Sequence, residues 1–152
     1  MKKIVFGLLA LTLTATAAQA QRLVIGEKAP EIKVSQWVDG RAATGNKATL
    51  IDFFHSSNAQ CIANLPKLNT LQETYGARLN VVVVSSEGMD KLTPYLDSKG
   101  YGFYAGTDDA GKTFAAYSVR FVPFAALIDS RGRLVWTGNV ASLTDETIKK
   151  AL

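Results

Sequence analysis

The sequence predicts an α/β fold: a central mixed sheet, parallel at its middle, flanked by helices. Two observations carry that prediction. Val81, Val82, Val83 and Val84 form an unbroken β-branched run, as expected of a parallel strand buried on both faces. Around it, stretches of strand and helix character alternate along the chain, which is the pattern of layered α/β domains. The size agrees, since 152 residues with 47% hydrophobic and 20% charged suit one globular core. No internal repeat, linker or low-complexity stretch divides the chain.

Residues 1–20 read as a secretory signal peptide: Lys2 and Lys3 precede an apolar run over 4–13, and small residues end in Ala18-Gln19-Ala20. Cleavage is expected after Ala20, leaving a domain over 21–152 that is periplasmic or secreted. The apolar run is well short of the roughly 20 residues that span a bilayer, so no membrane anchor is expected after cleavage. Residues 26–30 are loop-like, and 32–38 alternate as a half-buried strand ending at Asp39-Gly40. Residues 49–54 form a short buried strand. Over 59–75 the apolar Ile62, Leu65, Leu68 and Leu71 recur at helical spacing, Pro66 should kink the helix, and Gly76 closes it. Further helices are expected over 89–98 and 110–117, with a further strand between them. Strands over 124–128 and 133–136 follow, joined by the turn Asp129-Ser130-Arg131-Gly132. A last helix begins at Thr144, with Asp145 and Glu146 at its positive end and Lys149 and Lys150 near its negative end.

The formal charge of +4 falls by two when Lys2 and Lys3 leave with the leading segment. So small an excess gives no electrostatic reason to expect nucleic acid as a partner. The single cysteine, Cys61, excludes an intrachain disulfide and any multi-cysteine metal cluster. Sites in α/β sheets form beyond the carboxyl ends of strands, where the next helix offers unpaired N–H groups. That place is 55–61, between the strand of Asp52 and the long helix. Cys61 falls in the first helical turn, where the dipole favours a thiolate, and Asn58 is well suited to cap the helix. Two readings of Cys61 stay open, a reactive monothiol or a small buried hydrophobe. Asp52 is either a general base for Cys61, its pKa raised by desolvation, or an acid bonded to nearby backbone. His55, Cys61 and Met89 are too scattered to predict a metal site, and Ser56 and Ser57 lack a base arranged for acyl transfer. Trp37 and Trp136 read as core or edge aromatics. No cofactor is expected.

From Gly26 to Leu152 the chain resembles the thioredoxin superfamily, in particular the exported TlpA/ResA-type thiol–disulfide oxidoreductases. Gly26 to Pro30 matches the family's Gly-x-x-Ala-Pro, and Asp52 to Cys61 lies under its Asp-Phe-Trp-x-x-Trp-Cys-x-x-Cys. Leu65-Pro66, Tyr117-x-Val119, Val122-Pro123, Leu127-Ile128-Asp129 and Gly132 follow in the family's order. The resemblance implies a thioredoxin-like fold with an N-terminal strand extension, a cis Pro123, and a Val122 backbone free to pair with a substrate chain. It also implies that Asp52 helps move the proton of the resolving thiol. The family's nucleophilic cysteine falls on Asn58, and an amide can neither attack a disulfide nor store electrons as half of a dithiol. Cys61 takes the place of the more buried resolving cysteine. The two tryptophans fall on Phe54 and Ser57, Phe121 and Phe124 flank Val122-Pro123, and Asn64 stands where the family often has an acid.

Three functions are open on these residues. The first is an exported redox protein working through Cys61 alone, with Asp52 accepting the proton and Val122, Pro123, Phe54, Phe121 and Phe124 holding a protein thiol or disulfide substrate. The second is a redox-dead binding or assembly module that keeps the groove beside Pro123 for a protein partner. The third is a one-cysteine peroxidase, in which Cys61 passes through a sulfenic acid. Against the last, the hydroxyl residue expected three positions before the cysteine is Asn58, and the arginine expected on a late strand falls on Pro123.

Overall fold

The computed structural model describes residues 22–97 and 100–152. The expected signal peptide, and Ser98 at the end of the second expected helix, lie outside the described residues. Six strands, β1 (Gln36–Trp37), β2 (Ala48–Phe54), β3 (Leu79–Ser85), β4 (Tyr104–Thr107), β5 (Phe124–Ile128) and β6 (Leu134–Gly138), form one sheet. Its order is β1-β4-β3-β2-β5-β6. The β4, β3 and β2 strands are mutually parallel, whereas β5, β6 and β1 run antiparallel to their neighbours. The sheet is mixed with a parallel centre, as the sequence predicted.

All seven residues of β3 are buried, in keeping with its apolar run. In β2, alternate residues serve opposite faces. Leu50 and Phe54 join a core cluster with Leu65 and Leu68 of α1 (Ala59–Tyr75), Leu92 of α2 (Met89–Leu96) and Ile148 of α4 (Asp145–Ala151). Ile51 and Phe53 enter a second cluster with Tyr117, partly covered by Phe114 of α3 (Lys112–Ala116) and by Leu23, Ile32 and Val34 of the N-terminal segment. Asp108 starts α3 by accepting the backbone N–H groups of Lys112, Thr113 and Phe114 at 2.9, 2.8 and 3.0 Å.

One local expectation changes. The strand over 32–38 shortens to Gln36–Trp37, because Thr113 Oγ1 takes over both backbone groups of Lys33 at 2.8 Å. The alternation was real, since Ile32 and Val34 still face the second cluster; a side chain replaced the ladder. The α1 helix runs unbroken through Pro66. The N-terminal strand extension is β1, paired antiparallel with β4; ahead of it a single bridge joins Lys28 to Arg133, supported where Gly26 and Ala29 donate to Leu134 and Gly132 at 2.7 and 2.8 Å.

Candidate functional site

The carboxyl end of β2 delivers the chain into α1, and the loop before β5 closes over that junction. Asn58 is the N-cap of α1, and its Oδ1 accepts from the backbone N–H of Gln60 at 3.0 Å and of Cys61 at 3.1 Å. Its other end makes a contact that no local pattern could predict. Asn58 Nδ2 donates to the Val122 carbonyl at 3.1 Å, beside the cis Val122–Pro123 bond. The Val122 backbone is therefore not wholly free, as the resemblance had implied: its carbonyl is occupied by a side chain of the same molecule.

Cys61 is fully buried. Its Sγ points at the Phe53 carbonyl at 3.9 Å. Burial pushes the thiol pKa up; a His55 backbone hydrogen bond pulls it partly back, and the Asp52 and Glu87 charges push it up further. The expected lowering by the helix dipole is overturned for two reasons. Desolvation penalises the thiolate, and the N–H groups that would favour it are bonded to Asn58 Oδ1 instead.

Asp52 lies on β2 between Leu50 and Phe54, so alternation puts its carboxyl on the same face as Cys61. It is fully buried, and neither carboxylate oxygen has a hydrogen-bond partner. Burial raises its pKa from 3.8 to about 8. The reading of Asp52 as an acid bonded to backbone is therefore corrected. At neutral pH it holds a proton, and it serves as a base only from its ionised form, above about pH 8.

Phe54 does not line a groove. It is fully buried, 6.2 Å from the Tyr95 ring, since the last β2 residue falls on the α1 face. Phe124 is half-buried against Phe53 at 5.9 Å. Phe121 is 77% exposed, and Val122 and Pro123 are half-buried. The surface beside Pro123 thus comprises Phe121, Val122, Pro123 and the rim of Phe124.

Glu87 was missed. It follows β3, and because β3 pairs in parallel with β2 its exit lies beside the site loop; the carboxyl-end rule applied to both strands would have found it. Glu87 accepts from the Ser56 backbone N–H and hydroxyl, both at 2.7 Å, and sits 3.7 Å from His55 Nδ1. Burial alone would raise its pKa, but the Ser56 bonds, His55 and Ser85 outweigh that and hold the carboxyl below its usual range. Ser57 Oγ reaches the same His55 Nδ1 at 2.9 Å, so serine and acid meet one nitrogen rather than opposite ends of the ring, and no triad forms. Asn64 is buried and links α1 to the β6–α4 connection, donating to Asn139 Oδ1 at 3.0 Å. Among the described residues no three His, Cys, Asp or Glu side chains cluster as metal ligands, and no helix is long and apolar enough to cross a membrane.

No protein-family model matches the sequence, and no curated protein matches it. Solved structures do. A protein of Chlorobium tepidum described as thiol:disulfide interchange protein DsbE superposes with a TM-score of 0.76 at 23% identity, covering 86% of this chain and 99% of that one. A Bacteroides thetaiotaomicron protein described as a protein disulfide isomerase gives 0.66 at 22% identity, covering 84% and 85%. The thioredoxin domain of a Bacteroides vulgatus thiol-disulfide oxidoreductase gives 0.68 at 18% identity, covering 85% and 95%. The mixed sheet, its flanking helices and these superpositions together identify the architecture as a thioredoxin-like fold.

Proposed function

We propose that this chain is an exported, TlpA/ResA-type protein of the thiol–disulfide oxidoreductase class in which the dithiol cycle has been lost, leaving at most single-thiol chemistry at Cys61. One observation carries this reading. The start of α1 still meets the cis-proline loop above a buried, protonated Asp52, while the position that needs an exposed sulfur holds the carboxamide of Asn58. The chemistry open to such a site is one exchange. The Cys61 thiolate attacks a protein disulfide, forms a mixed disulfide and expels the partner's other sulfur as thiolate. A thiolate of an external reductant then attacks the substrate sulfur, forming a disulfide with it and returning Cys61 as thiolate. The proton lost by Cys61 goes to solvent, or to Asp52 where that carboxyl is ionised.

Complete burial of Cys61 favours a second reading, a redox-dead module that binds a protein partner at the surface beside Pro123. One pair of measurements separates the two. Purified protein is treated with a thiol-labelling reagent, native and unfolded, and assayed for reduction of insulin disulfides. The oxidoreductase reading expects slow but complete native labelling, no sustained insulin turnover, and turnover gained by Asn58→Cys, which rebuilds a Cys-x-x-Cys. A native thiol wholly inert until denaturant is added, together with an Asn58→Cys variant that folds but stays inactive, overturns it in favour of the binding module.

A further inference from the structure

An open groove of about 750 Å³ lies on the second face of the sheet, between the N-terminal segment and the loop entering β5. Its lining includes Leu23, Val24, Tyr117 and Phe124, with Arg22 and Arg120 at its rim. The apolar part is accessible in part: Val24 is 43% exposed and Leu23 and Phe124 are half-buried, whereas Tyr117 is buried. Large apolar side chains scattered singly over a surface mean little, but here they adjoin a concave surface. The charge is one-sided. Every Asp and Glu of the sequence lies among the described residues, and the ion pairs they form engage Lys33, Arg41, His55 and Lys150, not Arg22 or Arg120. Two unmatched guanidinium groups beside an apolar floor suit carboxylates held on an extended chain with apolar residues between them.

We propose that this groove docks an acidic, extended peptide segment of a partner protein, with its carboxylates on Arg22 and Arg120 and an apolar side chain against Phe124 and Val24. The site needs no sulfur, and it lies on the opposite face of the sheet from Cys61. Phe124 borders both this groove and the surface beside Pro123, but docking needs neither Cys61 nor Asp52, so the binding test below is read separately from the thiol chemistry above.

The test uses the purified protein and a fluorescein-labelled peptide alternating aspartate and leucine, followed by fluorescence anisotropy and by amide shifts in NMR spectra. The aspartate peptide is expected to bind, more weakly as salt rises, and to shift resonances of Val24 and of residues 117–124. Its lysine-for-aspartate counterpart is expected not to bind. Arg22→Glu combined with Arg120→Glu, checked for unchanged thermal unfolding, should weaken binding by about tenfold or more, the weight of two partly solvated ion pairs lost and reversed. Arg120→Lys should retain most of it. Equal binding by the double variant, binding of the lysine peptide, or no binding of the aspartate peptide would each overturn the proposal. So would concentration-dependent dimerisation through the groove, which would assign it to a second copy of this chain.

Discussion

At Cys61 two physical effects oppose each other, and the buried geometry decides between them. A helix start favours thiolate, but Asn58 Oδ1 has taken the N–H groups that would express that preference. Native labelling should therefore be slow at neutral pH and keep rising beyond pH 9, the ordinary value from which burial pushes this thiol up, read as the rate of adduct formation by mass spectrometry. Asn58 offers a sharper test because its two ends do different things. Asn58→Ala, losing cap and loop contact together, should cost about 2 kcal/mol in denaturant unfolding. Asn58→Asp keeps the cap oxygen but loses the Nδ2 donor to Val122, so it should keep the helix start and loosen the Pro123 loop, seen as faster amide exchange there. The cap was legible because Asn before a helical period has a local meaning. The contact to Val122 was not, because residues 64 positions apart meet only through the fold.

Among elements, α1 was the most legible, with Leu65, Leu68 and Leu71 buried along one face as their spacing implied and Ile62 half-buried beside them. Truncating Leu68 to Ala should cost about 2–5 kcal/mol of unfolding free energy, measured by urea denaturation. The least legible was the segment before β1, whose period-two pattern survives without a ladder because Thr113 occupies the Lys33 backbone. Periodicity reports which face is buried, not which groups satisfy the backbone. Between elements, Glu87 latches the exit of β3 to the exit of β2 through Ser56. Its carboxyl is held below the ordinary value of 4.5, so this stabilisation is present above about pH 4.5 and lost as pH falls through the folded-state value. Glu87→Ala should cost about 1–3 kcal/mol at neutral pH and remove that acid dependence from the unfolding curve.

For the molecule as a whole, Asp52 is a standing cost. Its pKa rises from 3.8 to about 8 on folding, so between those values the folded chain holds a proton that the unfolded chain has released. Stability should fall as pH rises from about 4 to about 8 and level off above that. Asp52→Asn should flatten the profile and raise the thermal midpoint at pH 8, measured by calorimetry; a wild-type profile already flat over that range would refute the assignment. The fold was readable from a few patterns because burial and alternation are local signatures of a global arrangement. The site was readable only as far as Asn58 and Cys61 at the start of α1, since exposure, orphaned oxygens and contacts between distant loops are properties of packing. The margins of the sheet carry a last consequence. One rim is the two-residue β1, and the other is bordered by residues around Lys28 hydrogen-bonded to β6. Among the described residues neither rim presents a long row of vacant amides, so fibril-like stacking of copies through strand extension is disfavoured, and a visiting polypeptide is met first by loops and grooves.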